Sequence, residues 1–289
     1  MSTTPTSPAA TGGIDDHPLL ISTEGAVRVL TLNRPQALNA FTTGLLGQLR
    51  AALDEAASDA GVRAVLITGA GRAFCAGQDL SDPHIKPEFD EHSGAVDPHR
   101  KPKAKDIGNL LDHYYIPLAL RLRSMPVPTV CAVNGVAAGA GANFALGCDL
   151  VLAGQSASFI QAFSKIGLVP DCGGTWLLTR LVGRARAMQL ALLGDKLPAE
   201  QAQAWGLIAR CVADADLQSE AMATAQKLSR MPTRALVQTR EALDASMALE
   251  FEDALKLEAR LQSQLGYAHD YLEGAAAFLT KRQPAFKDR

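Results

Sequence analysis

A short apolar segment followed by a run of very small residues restricts the possible folds more than any other part of the chain. Residues Pro128–Asp149 read PTVCAVNGVAAGAGANFALGCD. Within them, Val130–Val133 predicts a buried strand, because it is apolar and partly β-branched. The Gly- and Ala-rich run Gly135–Ala142 predicts a tight turn, and the apolar residues after it predict a helix over about Gly141–Gly147.

A strand that leads through such a turn into a helix is suited to binding a ligand oxygen through the backbone. The first N–H groups of a helix have no partner within the helix, and they point outward. Side chains this small let a ligand approach the backbone, and the helix dipole favours an oxygen that acquires negative charge. Close helix packing explains the same residues equally well, so the stretch alone leaves both interpretations open.

Composition excludes several classes of protein. The chain has 289 residues, of which 47% are hydrophobic and 20% charged, enough for one globular domain with a large core. A net charge of −2 gives no electrostatic basis for binding nucleic acid. The five cysteines include no Cys-x-x-Cys pair, so we expect neither a disulfide framework nor a zinc site. Cysteines used in this way fit a reducing cytoplasm best, and no apolar run reaches membrane-spanning length.

Changes of composition along the chain predict its organisation. Residues 1–16 are rich in Ser, Thr, Pro and Ala, which is typical of a disordered tail rather than a signal peptide. Strands and helices follow each other through a core at 17–213. Within that core, residues 81–106 are polar, Pro-rich and aperiodic, which predicts a flexible insert beside the candidate ligand-binding site. Residues 214–289 are predicted to be entirely helical.

Periodicity predicts the individual elements. The predicted strands are Leu19–Ser22, Ala26–Leu32, Ala64–Thr68, Val130–Val133, Leu150–Ala153, Ser158–Ile160 and Ile208–Val212. The predicted helices are Thr42–Ala60, Asp106–Met125, Gly141–Gly147, Thr175–Leu181, Arg184–Leu193, Pro198–Trp205, Asp216–Arg230, Thr233–Met247, Leu249–Tyr267 and Asp270–Lys281.

Two further turns carry candidate functional residues. Gly69–Leu80 follows a predicted strand and has the small residues Cys75, Ala76 and Gly77 at its tip. Asp171 lies in a Gly-rich turn just before a predicted helix. Its carboxylate is either the N-cap of that helix or a base in apolar surroundings, and the frequency of Asp at N-caps favours the first interpretation.

Residues near the predicted insert add weaker indications. The histidines His84, His92 and His99 match no known spacing of metal ligands, so no metal site is predicted. Tyr114 and Tyr115 lie on a predicted amphipathic helix, where packing is a better explanation for aromatic residues than a place in an acyl pocket.

Five motifs, in order, resemble the crotonase superfamily, the enoyl-CoA hydratases and isomerases. They are LNRPQALNAF, GRAFCAGQDL, AVNGVAAGAGANFALGCDL, GLVPDCGGTWLLTRLVG and EGAAAFLTKRQPAF, and the resemblance covers about residues 17–287. It implies an α/β fold, in which a crotonase-like ββα spiral core carries a C-terminal helical trimerisation region. It also implies a homotrimer or a hexamer made of two trimers.

The resemblance also implies a binding site for an acyl-CoA thioester. Its oxyanion hole would be formed by the backbone N–H groups of Ala76 and Ala140. Coenzyme A would be part of the substrate, and neither a cofactor nor a metal is expected. The CoA- and substrate-binding positions implied in this way, some of them contributed by a neighbouring subunit, are Arg34, Ala40, Gln78, Asp79, Leu80, Gly139, Asn143, Phe278 and Lys281.

The chain departs from the hydratase pattern at two positions. Hydratases use two glutamates to activate water, and the matching residues here are Asn143 and Phe163. The acid that remains is Asp171, which matches the catalytic aspartate of isomerase relatives. The resemblance therefore implies an acyl-CoA isomerase that converts ring-1,2-epoxyphenylacetyl-CoA to oxepin-CoA or moves a 3-enoyl double bond to the 2-position. A hydratase and an inactive acyl-CoA- or RNA-binding relative are the alternatives, and Asn143 either orients a ligand or only packs.

Overall fold

The computed structural model of the protein describes residues 17–86 and 105–289. The predicted tail at 1–16 and most of the predicted insert, residues 87–104, lie outside this part. The strands are β1 (Leu19–Glu24), β2 (Val27–Leu32), β3 (Ala64–Gly69), β4 (Ala73–Cys75), β5 (Thr129–Val133), β6 (Val136–Ala138), β7 (Leu150–Gly154), β8 (Ser158–Ile160), β9 (Lys196–Pro198) and β10 (Arg210–Val212). The α-helices are α1 (Thr43–Ser58), α2 (Ile107–Leu110), α3 (Ile116–Arg123), α4 (Ala140–Leu146), α5 (Gly174–Leu193), α6 (Ala199–Ala204), α7 (Leu217–Ser229), α8 (Thr233–Ser246), α9 (Phe251–Gly266) and α10 (His269–Leu279).

Two sheets share the strands in a regular alternation. One has the order β1-β2-β3-β5-β7-β10 and the other the order β4-β6-β8-β9. The pairs β3/β4, β5/β6 and β7/β8 each give their first strand to the larger sheet and their second to the smaller one. Apart from the antiparallel pairs β1–β2 and β8–β9, neighbouring strands run parallel. The predicted ββα spiral with C-terminal helices is therefore confirmed.

Helices cover both faces of the larger sheet. On α1, Thr42 accepts a hydrogen bond from the Leu45 amide at 3.2 Å and caps the helix, whose buried leucines recur at helical spacing. On the opposite face, α7 presents Leu217, Ala221 and Ala225 to the valines and leucines of the central strands. This double coverage explains why the central strands β3 and β5 are buried along their whole length and are mostly apolar.

The structure adds two short strands where the sequence indicated only turns. Strands β4 and β6 pair in parallel, with Cys75 next to Ala137. Three of the six residues in these strands are Ala, which has little strand propensity, so pairing and burial contribute strongly to their conformation. Helix α4 begins at Ala140, one residue earlier than predicted, and α5 continues through a kink at Gly183 into the segment predicted as a separate helix.

The C-terminal helices occupy the predicted segments, but they differ in burial. Helix α7 packs on the larger sheet, whereas α9 has no buried residue although one of its faces is apolar. Across residues 17–86 and 105–289, none of the helices combines the length and apolar character needed to cross a membrane.

Candidate active site

Two turns lie side by side because the strands that lead into them are paired. Strands β4 and β6 run parallel, so their carboxyl ends meet at one edge of the smaller sheet. A Cβ atom built on Gly77 would lie 2.9 Å from the Ala138 carbonyl oxygen and 3.7 Å from the Ala140 nitrogen. Gly77 also has a φ of +92°, so both its conformation and this close approach require glycine.

Ala140 presents a free amide at the start of a helix. It is the first residue of α4, and Gly139 before it takes a φ of +52°. The Gly139 amide is used, since it donates to the Ile160 carbonyl oxygen at 2.8 Å. For the Ala140 amide, the described residues provide no acceptor. Its N–H is therefore available to a ligand, as the sequence predicted.

The prediction that the backbone N–H of Ala76 is the other oxyanion donor is wrong. This N–H donates to the Leu38 carbonyl oxygen at 3.0 Å, so it is not available to a substrate. Leu38 adopts a left-handed conformation with a φ of 50°, in a turn far from residue 76 in sequence. The contact is thus tertiary, and no local pattern of residues indicates it.

The free amide in this turn belongs to Gln78. Phe41 donates to the Gly77 carbonyl oxygen at 2.8 Å and accepts from the Asp79 amide at 2.8 Å. In such a bridge the residue between the two bonded groups turns its own N–H away from the partner strand. Within the described residues the backbone N–H of Gln78 has no acceptor. Gln78, rather than Ala76, is therefore the candidate partner of Ala140.

A buried tyrosine holds the side chain of Gln78. The Tyr115 hydroxyl donates to Gln78 Oε1 at 2.6 Å, and the tyrosine is 1% exposed. Tyr115 ends a π-helical turn, Leu111–Tyr115, a local distortion that is often found at functional sites. Burial raises the pKa of its phenol well above the usual value, and the negative charge of Asp171 raises it further. Tyr115 therefore contributes to the site more directly than the sequence indicated.

Asp171 has the environment of a base rather than of a helix cap. Gly173 is the N-cap residue of α5, and no side chain caps that helix. Asp171 Oδ1 is buried, and no described residue donates a hydrogen bond to it. Burial raises the pKa of the carboxyl group from 3.8 to about 7, an effect that its own backbone N–H partly opposes. Burial also raises the pKa of the neighbouring Cys172 thiol, and the charge of Asp171 raises it further.

Neither residue at the two departures from the hydratase pattern supplies an acid. Asn143 is fully buried; its Nδ2 donates to the Asp171 carbonyl oxygen at 2.9 Å, and its Oδ1 accepts from Gln161 at 2.8 Å. Phe163 is also buried, and a Cβ atom on Gly139 would lie 3.7 Å from its ring. Asn143 therefore uses both of its polar atoms within the protein.

Three of the predicted CoA-binding residues are linked to one another. Arg34 Nη1 donates to the Ala40 carbonyl oxygen at 2.6 Å and to Asp79 Oδ2 at 3.0 Å. Burial acts to raise the pKa of Asp79, but hydrogen bonds from Ser81 and the Arg34 guanidinium hold it below its usual value. Leu80, next to this group, is 57% exposed. The ion pair thus fixes the Leu32–Phe41 segment to the turn that carries the Gln78 amide.

The last two predicted positions lie apart from this group. Phe278 is in the last turn of α10 and is 84% exposed, and Lys281 follows the helix with its side chain exposed. Among the described hydrogen bonds and ion pairs, none joins either residue to Arg34 or Asp79. Their role in binding CoA stays a prediction.

Comparison with known proteins gives one consistent result. The family model described as "Enoyl-CoA hydratase/isomerase" matches residues 22–289. A 1,2-epoxyphenylacetyl-CoA isomerase of Escherichia coli is 46% identical over 268 residues, 93% of this chain and 97% of the relative. A Rhodobacter capsulatus protein described as a probable enoyl-CoA hydratase is 43% identical over 273 residues, 94% of this chain and 99% of the relative. The crystal structure of an enoyl-CoA hydratase from Mycobacterium smegmatis has a TM-score of 0.80 and 31% identity, covering 93% of this chain and 98% of that one.

Proposed function

The chain belongs to the enoyl-CoA hydratase/isomerase family, and we propose that it is an acyl-CoA isomerase with Asp171 as its base. The observation that carries the proposal is the carboxylate itself: Oδ1 of Asp171 is buried, no described residue donates a hydrogen bond to it, and burial raises the pKa of the carboxyl group to about 7. The hydratase glutamates are matched by Asn143 and Phe163, so the site lacks the acid–base pair that water addition requires.

The first step is polarisation of the thioester. The backbone N–H groups of Gln78 and Ala140 would donate to the thioester oxygen and stabilise the negative charge that develops when the neighbouring carbon loses a proton. Removing one such donor typically costs about 3 kcal/mol of transition-state stabilisation. The Tyr115 hydroxyl fixes the side chain of Gln78 and so helps to hold that amide in place.

The second step is proton transfer by Asp171. A carboxyl group with a pKa of about 7 is a much stronger base than an ordinary aspartate, and about half of it is ionised at neutral pH. It would remove a proton from the carbon next to the thioester and return it at another carbon of the conjugated system. On a 3-enoyl-CoA, this moves the double bond to the 2-position without net oxidation or reduction.

The same enolate stabilisation supports a second substrate. In ring-1,2-epoxyphenylacetyl-CoA, charge accumulated at the thioester assists opening of the epoxide and rearrangement to the seven-membered oxepin-CoA. The relative named 1,2-epoxyphenylacetyl-CoA isomerase, 46% identical to this chain, supports this substrate. The coenzyme A portion would bind beside Arg34, Ala40, Asp79 and Leu80. In a homotrimer or hexamer, Phe278 and Lys281 of a neighbouring subunit would complete the site.

Hydration of an enoyl-CoA is the second candidate, because a relative at 43% identity is described as a hydratase. The proposed site contains one carboxylate rather than two, so we expect water addition to crotonyl-CoA to be much slower than isomerisation. If hydration of crotonyl-CoA is as fast as isomerisation, the isomerase proposal fails, and a second acid has to be sought.

The decisive experiment compares the native chain with Asp171→Asn. Both are incubated with ring-1,2-epoxyphenylacetyl-CoA and, separately, with 3-hexenoyl-CoA, and the isomeric products are separated by liquid chromatography and identified by NMR. We expect kcat to fall by about 10²–10⁴-fold, with little change in affinity for the CoA ester. Asp112→Asn, on an exposed surface, is the matched control and should behave as the native chain. Full turnover by Asp171→Asn would place the base elsewhere.

A further inference from the structure

The position of the Asp171 carboxylate depends on its backbone. Its Oδ1 receives no hydrogen bond within the described residues, so no bond at that atom fixes its direction. The turn that carries it is also an unusual one. Cys172 has a φ of 49° and Gly173 a φ of 81°, both in the left-handed region. A residue such as Cys172 keeps this conformation only where the surrounding structure holds it.

A side chain from helix α4 holds this turn. Asn143 Nδ2 donates to the Asp171 carbonyl oxygen at 2.9 Å, and that oxygen also accepts from the Gly174 amide at 2.8 Å. Gly174 leaves room for this contact, since a Cβ atom there would lie 2.2 Å from Asn143 Nδ2. The turn and the asparagine thus fit together only because residue 174 is glycine.

A second amide fixes the orientation of the first. Gln161 Nε2 donates to Asn143 Oδ1 at 2.8 Å, and Gln161 is 2% exposed. An amide oxygen only accepts and an amide nitrogen only donates, so this bond directs Asn143 Nδ2 toward Asp171. Gln161 Oε1 has no hydrogen-bond partner among the described atoms. Among these atoms, the side chain of Gln161 therefore forms its hydrogen bond with Asn143.

Helix α4 therefore joins the two halves of the proposed reaction centre. Its first residue, Ala140, presents the free amide, and Asn143, within the next turn, holds the backbone of Asp171. On the basis of the proposed function, we propose that Asn143 is a positioning residue that sets the distance between base and oxyanion donor. Gln161 keeps it in the required orientation. Misplacement of a reacting group by about 1 Å can cost about 10²-fold in rate.

The test is Asn143→Ala, alone and combined with Asp171→Asn. We expect kcat for 3-hexenoyl-CoA to fall by about 10- to 100-fold, with KM within about twofold of the native value. The acid limb of the pH–rate profile should also move to lower pH, because a loosened turn lets water reach the Asp171 carboxylate. In the Asp171→Asn background, Asn143→Ala should have no further effect, since it acts through that residue.

Controls separate positioning from a general loss of stability. Thr129→Val removes a buried hydroxyl that bonds to Asp149 on another part of the sheet, so it should lower Tm without moving the pH profile. If Asn143→Ala does not fold, Gln161→Met removes the bond that orients Asn143 and should shift kcat and the pH profile in the same direction by less.

Three results would overturn the inference: an unchanged kcat and pH profile, an effect confined to KM, or full additivity with Asp171→Asn. Failure of the proposed function gives a different result, namely turnover that survives Asp171→Asn itself. If Asp171→Asn is inactive but neither Asn143→Ala nor Gln161→Met alters kcat or the pH profile, only the positioning role is wrong.

Discussion

At the scale of single residues, Asp171 combines a functional advantage with a cost in stability. Folding moves its carboxyl group into surroundings that favour the protonated form and raises the pKa from 3.8 to about 7. Between these two values the folded protein binds more protons than the unfolded chain, so this residue makes stability fall as the pH rises. Below about pH 4 both states are protonated, and the penalty disappears.

Asp171→Asn should therefore stabilise the protein in a pH-dependent manner. Asparagine resembles the protonated acid, so at pH 8 the free energy of unfolding should increase, on the order of 2–4 kcal/mol. At pH 4 the two proteins should be almost equally stable. Urea denaturation at both pH values measures this difference, with Asp112→Asn as an exposed control. Equal effects at the two pH values would contradict the raised pKa.

Activity should depend on the same ionisation. Because the base must be unprotonated, kcat/KM should rise with pH through a transition near 7 and then level off. The profile is measured with 3-hexenoyl-CoA between pH 5 and 9. A transition near pH 4 would mean that the carboxylate is hydrated in the working enzyme, and its proposed surroundings would then be wrong.

A further prediction concerns Tyr115, whose hydroxyl holds the side chain of Gln78, the proposed oxyanion donor. Tyr115→Phe removes the hydroxyl of a side chain that is 1% exposed and leaves Oε1 of the half-buried Gln78 without its 2.6 Å hydrogen bond. We expect about a tenfold loss in kcat, equivalent to about 1.4 kcal/mol. Tyr114→Phe is the matched control, because Tyr114 is only half-buried and packs its ring near His84. An equal loss in both variants would mean that Tyr115 acts only through packing.

What the sequence predicts at this scale depends on whether the relevant contact is local. Asp171 and Ala140 could be proposed from the sequence because each lies in a turn that is recognisable from neighbouring residues. The amide of residue 76 was predicted wrongly because its acceptor, the Leu38 carbonyl oxygen, belongs to a distant turn. The roles of Tyr115 and Gln161 are likewise set by partners that are distant in sequence, at Gln78 and Asn143.

At the scale of elements, apolar periodicity predicted long helices and long strands better than short strands. Strands β4 and β6 have only three residues each, too few to show a period of two, and they are held by pairing with each other and, for β6, with β8. These two strands bring the turns of Gln78 and Ala140 together. The part of the site that depends on pairing is thus the part that local sequence cannot specify.

Two helical glycines provide an element-scale test of this packing. A Cβ atom on Gly141 would lie 2.6 Å from both the carbonyl oxygen and the Sγ of Cys75, so Gly141→Ala should push α4 away from β4 and cost about 1–3 kcal/mol. Gly47 in α1 has nothing within 4 Å of such an atom, so Gly47→Ala should add about 0.5–1 kcal/mol of stability. Denaturant unfolding of both variants checks for these opposite signs. If Gly141→Ala is not destabilising, the contact between α4 and β4 is looser than described.

At the scale of the whole molecule, family and fold were predictable because they depend on the order of many elements rather than on one contact. Membership of the enoyl-CoA hydratase/isomerase family and the ββα spiral are both confirmed.

The described chain also exposes large apolar side chains on its C-terminal helices, where a single chain leaves them in water. They include Leu243, Phe251, Leu255, Tyr267, Leu272, Phe278 and Leu279.

We expect other copies of the chain to cover these side chains, in a trimer or a hexamer, and this assembly to complete the CoA site. Phe251→Glu combined with Leu255→Glu places charge on the apolar face of α9, where Phe251 is 78% and Leu255 47% exposed. Light scattering coupled to size exclusion should show dissociation of this variant. Leu120→Glu, on the exposed face of α3, should leave the assembly intact. If Phe278 and Lys281 act on a neighbouring subunit, the dissociated variant should also have a raised KM for CoA esters; dissociation with an unchanged KM would confine the whole CoA site to one chain.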